Sequence, residues 1–304
     1  MSGELPRLLA VVGGGRMGAA IAQIFAAAGS AVTVYDPSVE TRDTVADRVA
    51  GACRLLGVDA EQVVDRVRTA DGLAPACEGA DLVIEAAPES LAVKREIFAE
   101  LDAVTPRGVT LATNTSAIPI GRIAGGLAHP ERVVGTHFWN PPYLIPLVEV
   151  VRAAGTSPAV VDATVRALAA AGLMPVPVDA DVPGFVGNRL QHALKREAIA
   201  LVAAGVCSAE TVDIVCRYGF GRRLPFLGPL EQADIGGLDL TLAIHEVLMP
   251  DLDATREPQP LLVDLVRRGD LGARTGRGFR TWRPGEARRR LAEVEAALLS
   301  QGRA

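Results

Sequence analysis

The sequence predicts an α/β chain in which a mainly parallel, helix-flanked sheet occupies residues 1–184 and an all-helical part occupies 185–304. Three observations carry this reading. Short runs of apolar β-formers alternate with helical periodicity through the first part, the pattern of βαβ units. One such run, Leu8 to Val12, passes directly into Gly13-Gly14-Gly15-Arg16-Met17-Gly18 and then a helix. After Pro183-Gly184 the strand signals stop and only helical spacing remains.

The first strand is apolar throughout, as expected of a strand buried on both faces. The helix after it repeats apolar residues at Ile21, Ile24, Phe25 and Ala28, and Gly29 is its C-terminal stop. Val32 to Tyr35 is the second predicted strand, and Asp36 follows it. A glycine fingerprint between strand and helix, with an acid 18 residues beyond its last glycine, marks a Rossmann-type dinucleotide site. Gly13 allows the tight turn, Gly15 the approach of a pyrophosphate, and Gly18 the close packing of helix on strand. The free N–H groups at the helix start attract the phosphates, with Arg16 and Met17 in that first turn. Asp36 would bond the adenosine ribose and repel a 2′-phosphate, so NAD is expected over NADP.

Ser38 to Leu56 reads as one helix and Ala60 to Val67 as a second, their arginines and acids forming a solvated face. Asp81 to Ala86 resumes the buried-strand pattern. Pro88-Glu89-Ser90 then turns into a helix that carries Lys94, and Val109 to Ala112 is the next strand. Glu89 and Lys94 fall just past a strand end, on the side where a nicotinamide is expected; a Glu and a Lys in a first helical turn are otherwise usually exposed.

Composition narrows the function classes. At 304 residues the chain is long enough for two domains with a substantial core. Its 49% apolar and 4% aromatic content is that of an alanine- and valine-rich globular enzyme. A net charge of -5 disfavours nucleic acid or an anionic membrane as main partner, leaving a small molecule. Lys94 and Lys195 are the only lysines, which reads first as a genome-composition bias. Cys53, Cys77, Cys207 and Cys216 form no C-x-x-C pair and no His-rich cluster, so neither zinc nor a disulfide framework is expected. A reducing cytoplasm fits. No basic leader with an apolar core and no apolar run of ~20 residues is present, so a soluble, unanchored protein is expected.

The chemistry is expected between Thr113 and Glu149. Thr113-Asn114-Thr115-Ser116 follows a strand, Arg132 to His137 ends another, and Leu147 to Val151 is a short strand with Glu149 at its apolar centre. In an open α/β sheet the ligand crevice lies outside such strand ends. A carboxylate among apolar neighbours needs a partner, and His137 is the obvious one. Oxidising a secondary alcohol requires a base for the hydroxyl proton while hydride leaves, and imidazole titrates near neutrality. Glu149 would fix its tautomer, and Ser116 would hold the reacting oxygen.

Before the boundary, Pro158 to Ala171 is helical and Met174 to Val178 is a strand whose prolines suit an edge. Val186 to Ala203 is a long helix with Asn188 in its first turn, able to face the crevice. Ser208 caps a helix running to Cys216, and Gly228-Pro229-Leu230 opens another that carries Leu238 to Val247. Gly272 to Phe279 is a turn rich in Gly and Arg, and Gly285 to Leu299 an amphipathic helix.

GGGRMG, TNTSAI, THFWNPP, LVEVV, PGFVGNRL and TGRGF, in this order and spacing, resemble the L-3-hydroxyacyl-CoA dehydrogenase family over nearly the whole chain. The resemblance implies His137 as acid/base with Glu149 as partner, and Ser116 and Asn188 around the substrate oxygen. It implies cofactor contacts from Asp36, Glu89, Lys94, Asn114, Ser116 and Asn140. It also implies a helical domain that forms a homodimer, and (S)-3-hydroxyacyl-CoA as substrate. Two features resemble relatives that oxidise hydroxy acids without CoA, the lambda-crystallin and gulonate branch or a pyridine-compound dehydrogenase. The helices after Asp36 carry no lysine to seat a CoA nucleotide, and NPPY with Trp139 replaces the usual segment beyond the histidine. A second class of dehydrogenases uses a lysine one turn before the asparagine; here Lys195 follows Asn188 by about two turns and is expected to be a helix-surface or structural residue.

Overall fold

The computed structural model describes residues 5–301. The chain divides into two compact units, one made of Met1–Arg189 with Val294–Ala304 and the other of Leu190–Glu293.

In the first unit the elements alternate as expected of a doubly wound fold. The run is β1 (Leu8–Val12), α1 (Arg16–Ala28), β2 (Ala31–Tyr35), α2 (Val39–Asp43), α3 (Val45–Leu56), α4 (Ala60–Val64) and β3 (Val67–Ala70). It continues through α5 (Leu73–Cys77), β4 (Leu82–Glu85), α6 (Leu91–Val104), β5 (Thr110–Thr113), α7 (Ile120–Ala124) and β6 (Val133–Phe138). Then come β7 (Leu147–Val151), α8 (Pro158–Ala170) and β8 (Met174–Val178). The eight strands lie in the order β3-β2-β1-β4-β5-β6-β7-β8, parallel except for the antiparallel β6–β7 pair. Strand order reverses between β1 and β4, which opens a crevice at their carboxyl ends.

Successive β1 side chains enter different cores, because strand side chains alternate. Leu9 and Val11 pack with Ile21, Phe25 and Val49 on one face, while Ala10 and Val12 pack with Phe98, Leu101 and Leu111 on the other. Both faces are therefore covered by helices, and β8, with Pro175 and Pro177, sits at the sheet edge where a missing N–H costs least.

Three sequence expectations are corrected. The helix expected over Ala60 to Val67 stops at Val64, because Val67–Ala70 is claimed by parallel pairing with β2 as an edge strand. The helix expected over Ser38 to Leu56 is two helices meeting at Thr44, whose hydroxyl donates to the Thr41 carbonyl and closes the first. The helix expected from Gly228 through Val247 is broken at Gly237, which sits at φ 96°, outside helical space.

The second unit is helical. It contains most of α9 (Gly187–Ala203), then α10 (Ala209–Tyr218), α11 (Pro229–Gly236), α12 (Leu238–Leu248), α13 (Pro260–Arg267) and the first half of α14 (Glu286–Gln301). Ser208 caps α10 by accepting from the Thr211 N–H, as its position suggested. Lys195 is exposed, and its Nζ donates to Gln191 on its own helix. Among residues 190–293 only Leu265 is buried. Phe226, Leu230, Ile235 and Val247 are each more than two-thirds exposed, at 86%, 81%, 73% and 71%.

Candidate active site

The glycine turn is built around two contacts that forbid a side chain. A Cβ on Gly18 would lie 1.7 Å from the Gly13 carbonyl oxygen, and one on Gly13 (φ 106°) would lie 2.7 Å from the Ala86 carbonyl oxygen. Gly15 is different: a Cβ there meets nothing within 4 Å, so its open side is space for a ligand. Gly15 gives α1 no side-chain cap and the first turn holds no acid, which leaves the positive helix end available. These features fit a dinucleotide pyrophosphate. Asp36, at the end of β2, accepts from the Gly14 N–H at 2.8 Å and the Ser38 N–H at 3.0 Å. Its carboxylate is thereby held beside the turn, where a ribose would lie. Arg16 is exposed, and Met17 is half-buried against the core.

His137 and Glu149 are direct partners in the antiparallel β6–β7 ladder. Cross-strand partners share a face, and here His137 Nδ1 lies 2.7 Å from Glu149 Oε2. Both residues are buried, at 5% and 3% exposure. The other oxygen, Oε1, accepts from the N–H groups of Val186 (2.9 Å) and Gly187 (3.0 Å), where α9 begins. Burial works to raise the Glu149 pKa, but the hydrogen bonds from His137, Gly187 and Val186 outweigh it and hold the carboxyl below its ordinary range. An ionised Glu149 only accepts, so Nδ1 donates, and in the neutral imidazole the lone pair is then on Nε2. Phe185 and Trp139 flank the imidazole, with ring centroids 5.7 Å and 5.5 Å away.

Ser116 is held from both sides of its peptide. Its N–H donates to Glu89 Oε1 at 2.9 Å, and its carbonyl accepts from Asn188 Nδ2 at 2.8 Å. The same Glu89 oxygen also accepts from the Thr115 hydroxyl (2.7 Å) and the Ala117 N–H (3.0 Å). Burial raises the Glu89 pKa, yet the bonds from Thr115 and Ala117, the Lys94 charge and the Ser116 bond together lower it overall. Asn114 accepts from the Phe138 N–H through Oδ1, tying the end of β5 to the residue after His137. Asn140 is exposed, three residues past His137.

Lys94, which the resemblance places among the cofactor contacts, is not exposed as a lysine in a first helical turn usually is. It is fully buried, with Nζ 2.7 Å and 3.0 Å from the two oxygens of Glu85, itself fully buried. Glu85 also takes the Thr113 hydroxyl at 2.6 Å and the Ala87 N–H at 2.6 Å. Glu85, Thr113 and Thr115 were not singled out from the sequence. An acid in an otherwise apolar strand is the available signal, at the end of β4 for Glu85 and at the centre of β7 for Glu149. The structure thus pairs His137 with Glu149 and links Asn188, Ser116, Glu89 and Lys94 in series, and the two groups meet along the backbone at Gly187, whose N–H donates to Glu149 and which precedes Asn188. Among the described residues, no group of His, Cys, Asp and Glu is arranged to hold a metal ion. No described helix is long and apolar enough to cross a membrane.

Comparison with known proteins agrees with this geometry. Residues 8–182 match the family described as 3-hydroxyacyl-CoA dehydrogenase, NAD binding domain, and 184–282 match its C-terminal domain. A 5-formyl-3-hydroxy-2-methylpyridine 4-carboxylate 5-dehydrogenase of Mesorhizobium japonicum is 33% identical, over 97% of this chain and 96% of its own. A probable 3-hydroxybutyryl-CoA dehydrogenase of Bacillus subtilis is 39% identical, over 88% of this chain and 95% of its own. Among solved structures, a 5-formyl-3-hydroxy-2-methylpyridine 4-carboxylic acid 5-dehydrogenase described as an NAD+-dependent dismutase has a TM-score of 0.88 at 31% identity, covering 98% of this chain and 97% of its own. The (S)-3-hydroxybutyryl-CoA dehydrogenase of Ralstonia eutropha has a TM-score of 0.76 at 31% identity, covering 91% and 99%. With an uncapped glycine turn before α1, an acid after β2 and matches along nearly its whole length, the chain belongs to the 3-hydroxyacyl-CoA dehydrogenase family and is an NAD-dependent oxidoreductase acting on CH-OH.

Proposed function

We propose that the protein interconverts a secondary alcohol and its ketone with His137 as acid/base. The observation that carries this is the 2.7 Å contact between His137 Nδ1 and Glu149 Oε2, on the carboxyl side of a sheet that also presents an open dinucleotide turn. NAD, when bound, supplies the hydride acceptor. His137 Nε2 takes the hydroxyl proton, and Glu149 holds the tautomer and stabilises the imidazolium that forms. The Ser116 hydroxyl donates to the reacting oxygen and Asn188 steadies Ser116 through its carbonyl. Asp36, Arg16, Met17, Glu89, Asn114 and Asn140 line the cofactor, with Lys94 acting behind Glu89, 3.6 Å away.

For the substrate, (S)-3-hydroxyacyl-CoA is the first reading, supported by the family and by the relatives named 3-hydroxybutyryl-CoA dehydrogenase. A hydroxy acid or alcohol without CoA is the second. It is favoured by residues 38–68, where no lysine occurs and five arginines are matched by six acids. It is also favoured by the near full-length relative that acts on a pyridine carboxylate. NADH consumption with acetoacetyl-CoA against a panel of free keto acids and pyridine aldehydes separates the two. Turnover with a free compound and none with any acyl-CoA removes the first reading.

The helical part, 185–304, is assigned to substrate binding and to pairing with a second copy of the chain. Its uncovered apolar side chains and near-absence of buried residues support that assignment. Light scattering should give twice the mass of one chain, and Leu230→Glu with Val247→Glu should shift it toward one.

A further inference from the structure

The reaction proposed above makes no use of Glu85, yet it is one of the most enclosed charged groups of the first unit. A buried charge is retained only with full compensation, and Glu85 has it: two contacts to Lys94, one to the Thr113 hydroxyl and one to the Ala87 N–H. Its strand partner in the β4–β5 register is Thr113, and its own carbonyl accepts from the Asn114 N–H at 2.7 Å. From this pair two lines of contact run outward. The Ala86 and Ala87 backbone presses on Gly13, the first residue of the phosphate turn, where a Cβ would come within 2.7–3.0 Å. On the other side the Lys94 ammonium lies 3.6 Å from Glu89 Oε2, while Glu89 Oε1 gathers the Thr115 hydroxyl and the Ser116 and Ala117 N–H groups.

We infer that the buried Glu85–Lys94 ion pair is a positioning device for the reaction, orienting Glu89 and through it the Thr115–Ala117 turn that carries Ser116. Lys94 is anchored below by Glu85 and draws Glu89 from above, so the carboxylate presents one oxygen to three donors of the turn. Three donors hold Oε1, and the fixed ammonium 3.6 Å from Oε2 adds an attraction at the other oxygen, so the carboxylate is held at both ends. Among the described residues, the pair makes its side-chain hydrogen bonds and ion pairs to Ala87, Thr113 and Glu89 and not to Ser116 or His137. Its effect is on where the serine stands, and hence on turnover more than on substrate binding. This inference rests on the role of Ser116 proposed above.

The test is the neutral double variant Glu85→Gln/Lys94→Met, which removes both charges together and leaves no isolated buried ion. Amide hydrogen exchange of the ligand-free protein reads the turn directly, and steady-state kinetics reads its consequence. Exchange at Ser116 and Ala117 should speed up at least tenfold while the β6 amides stay within twofold. With any substrate the wild type turns over, kcat should fall at least tenfold with KM within threefold. Unchanged exchange, unchanged kcat, or a fall in kcat without faster exchange at the turn overturns the inference. If the double variant does not fold, Thr113→Val removes a single hydrogen bond from Glu85; exchange at the turn should still rise about threefold, and an unchanged rate overturns the inference. A wild type inactive on every alcohol and ketone tried would count against the proposed reaction, whereas the exchange result would still decide whether the pair controls the turn.

Discussion

Replacing Glu149 by Gln isolates what the carboxylate does for His137, because it keeps shape and removes charge. The native side chain accepts three hydrogen bonds, from His137 at 2.7 Å and from Val186 and Gly187 at 2.9 Å and 3.0 Å. The two backbone donors at the start of α9 oblige the glutamine to turn its carbonyl oxygen toward them. Its amide then faces His137 Nδ1 and demands an acceptor there, which moves the imidazole proton to Nε2 and removes the lone pair that receives the substrate proton. The comparable wrong-tautomer substitution in a Ser-His-Asp triad lowers kcat by about 10⁴. With a less reactive demand on the base we expect a loss of about 10³, or about 4 kcal/mol in the barrier. Stability should fall less. Three charge-assisted bonds become neutral at about 1 kcal/mol each, and burying an amide instead of an anion offsets part of that, leaving about 1–2 kcal/mol. The assay is kcat by NADH absorbance, with NADH affinity by fluorescence titration and stability by urea melt. A variant with kcat within tenfold of wild type would refute the tautomer argument.

Three further outcomes follow from the same structure. Glu149 and Glu89 both have depressed folded-state pKa values, so the unfolded chain binds more protons as pH falls through their range. Their contribution to stability is therefore complete above the usual carboxylate range, about 4.3, and is lost only as pH drops below it; urea midpoints against pH should show this acid limb, and Glu149→Gln should shrink it. Asp36→Ala removes the carboxylate beside the phosphate turn, and titration should show NADH binding weakened by about 10–100-fold, the worth of charge-assisted bonds, with NADPH gaining relative to it. Gly187→Ala places a methyl 2.3 Å from Trp139 Cζ2, so the indole beside His137 must move; a urea melt should register a loss of about 1–3 kcal/mol, and Gly187→Ala/Trp139→Phe should recover part of it.

Much of this was legible because local rules and tertiary demands coincided. The glycine turn, the acid after β2 and the apolar strands of a two-sided sheet each announce themselves within a few residues. The His137–Glu149 pair could be read because a carboxylate in an apolar strand requires a partner, although only the β6–β7 register shows that they stand opposite one another. Glu85 obeys the same rule but went unnoticed, since its partner Lys94 lies on the following helix in a position that locally looks exposed. The edge strand β3 escaped for a different reason: four residues with only Val67 and Thr69 as β-formers carry too little pattern, and pairing with β2 decides their state. The use of the Val186 and Gly187 N–H groups by Glu149 depends on the turn at Phe185, at φ 50°, which no sequence spacing reveals.

His137→Ala, assayed with the best available substrate while NADH affinity is measured in parallel, tests the proposed chemistry most directly. The expected result is a fall in kcat of at least about 10²–10⁴, the worth of general acid/base catalysis, with NADH affinity within about twofold of wild type, since the imidazole makes no contact with the phosphate turn that anchors the cofactor. Turnover close to wild type with His137 removed would contradict the assignment of the acid/base.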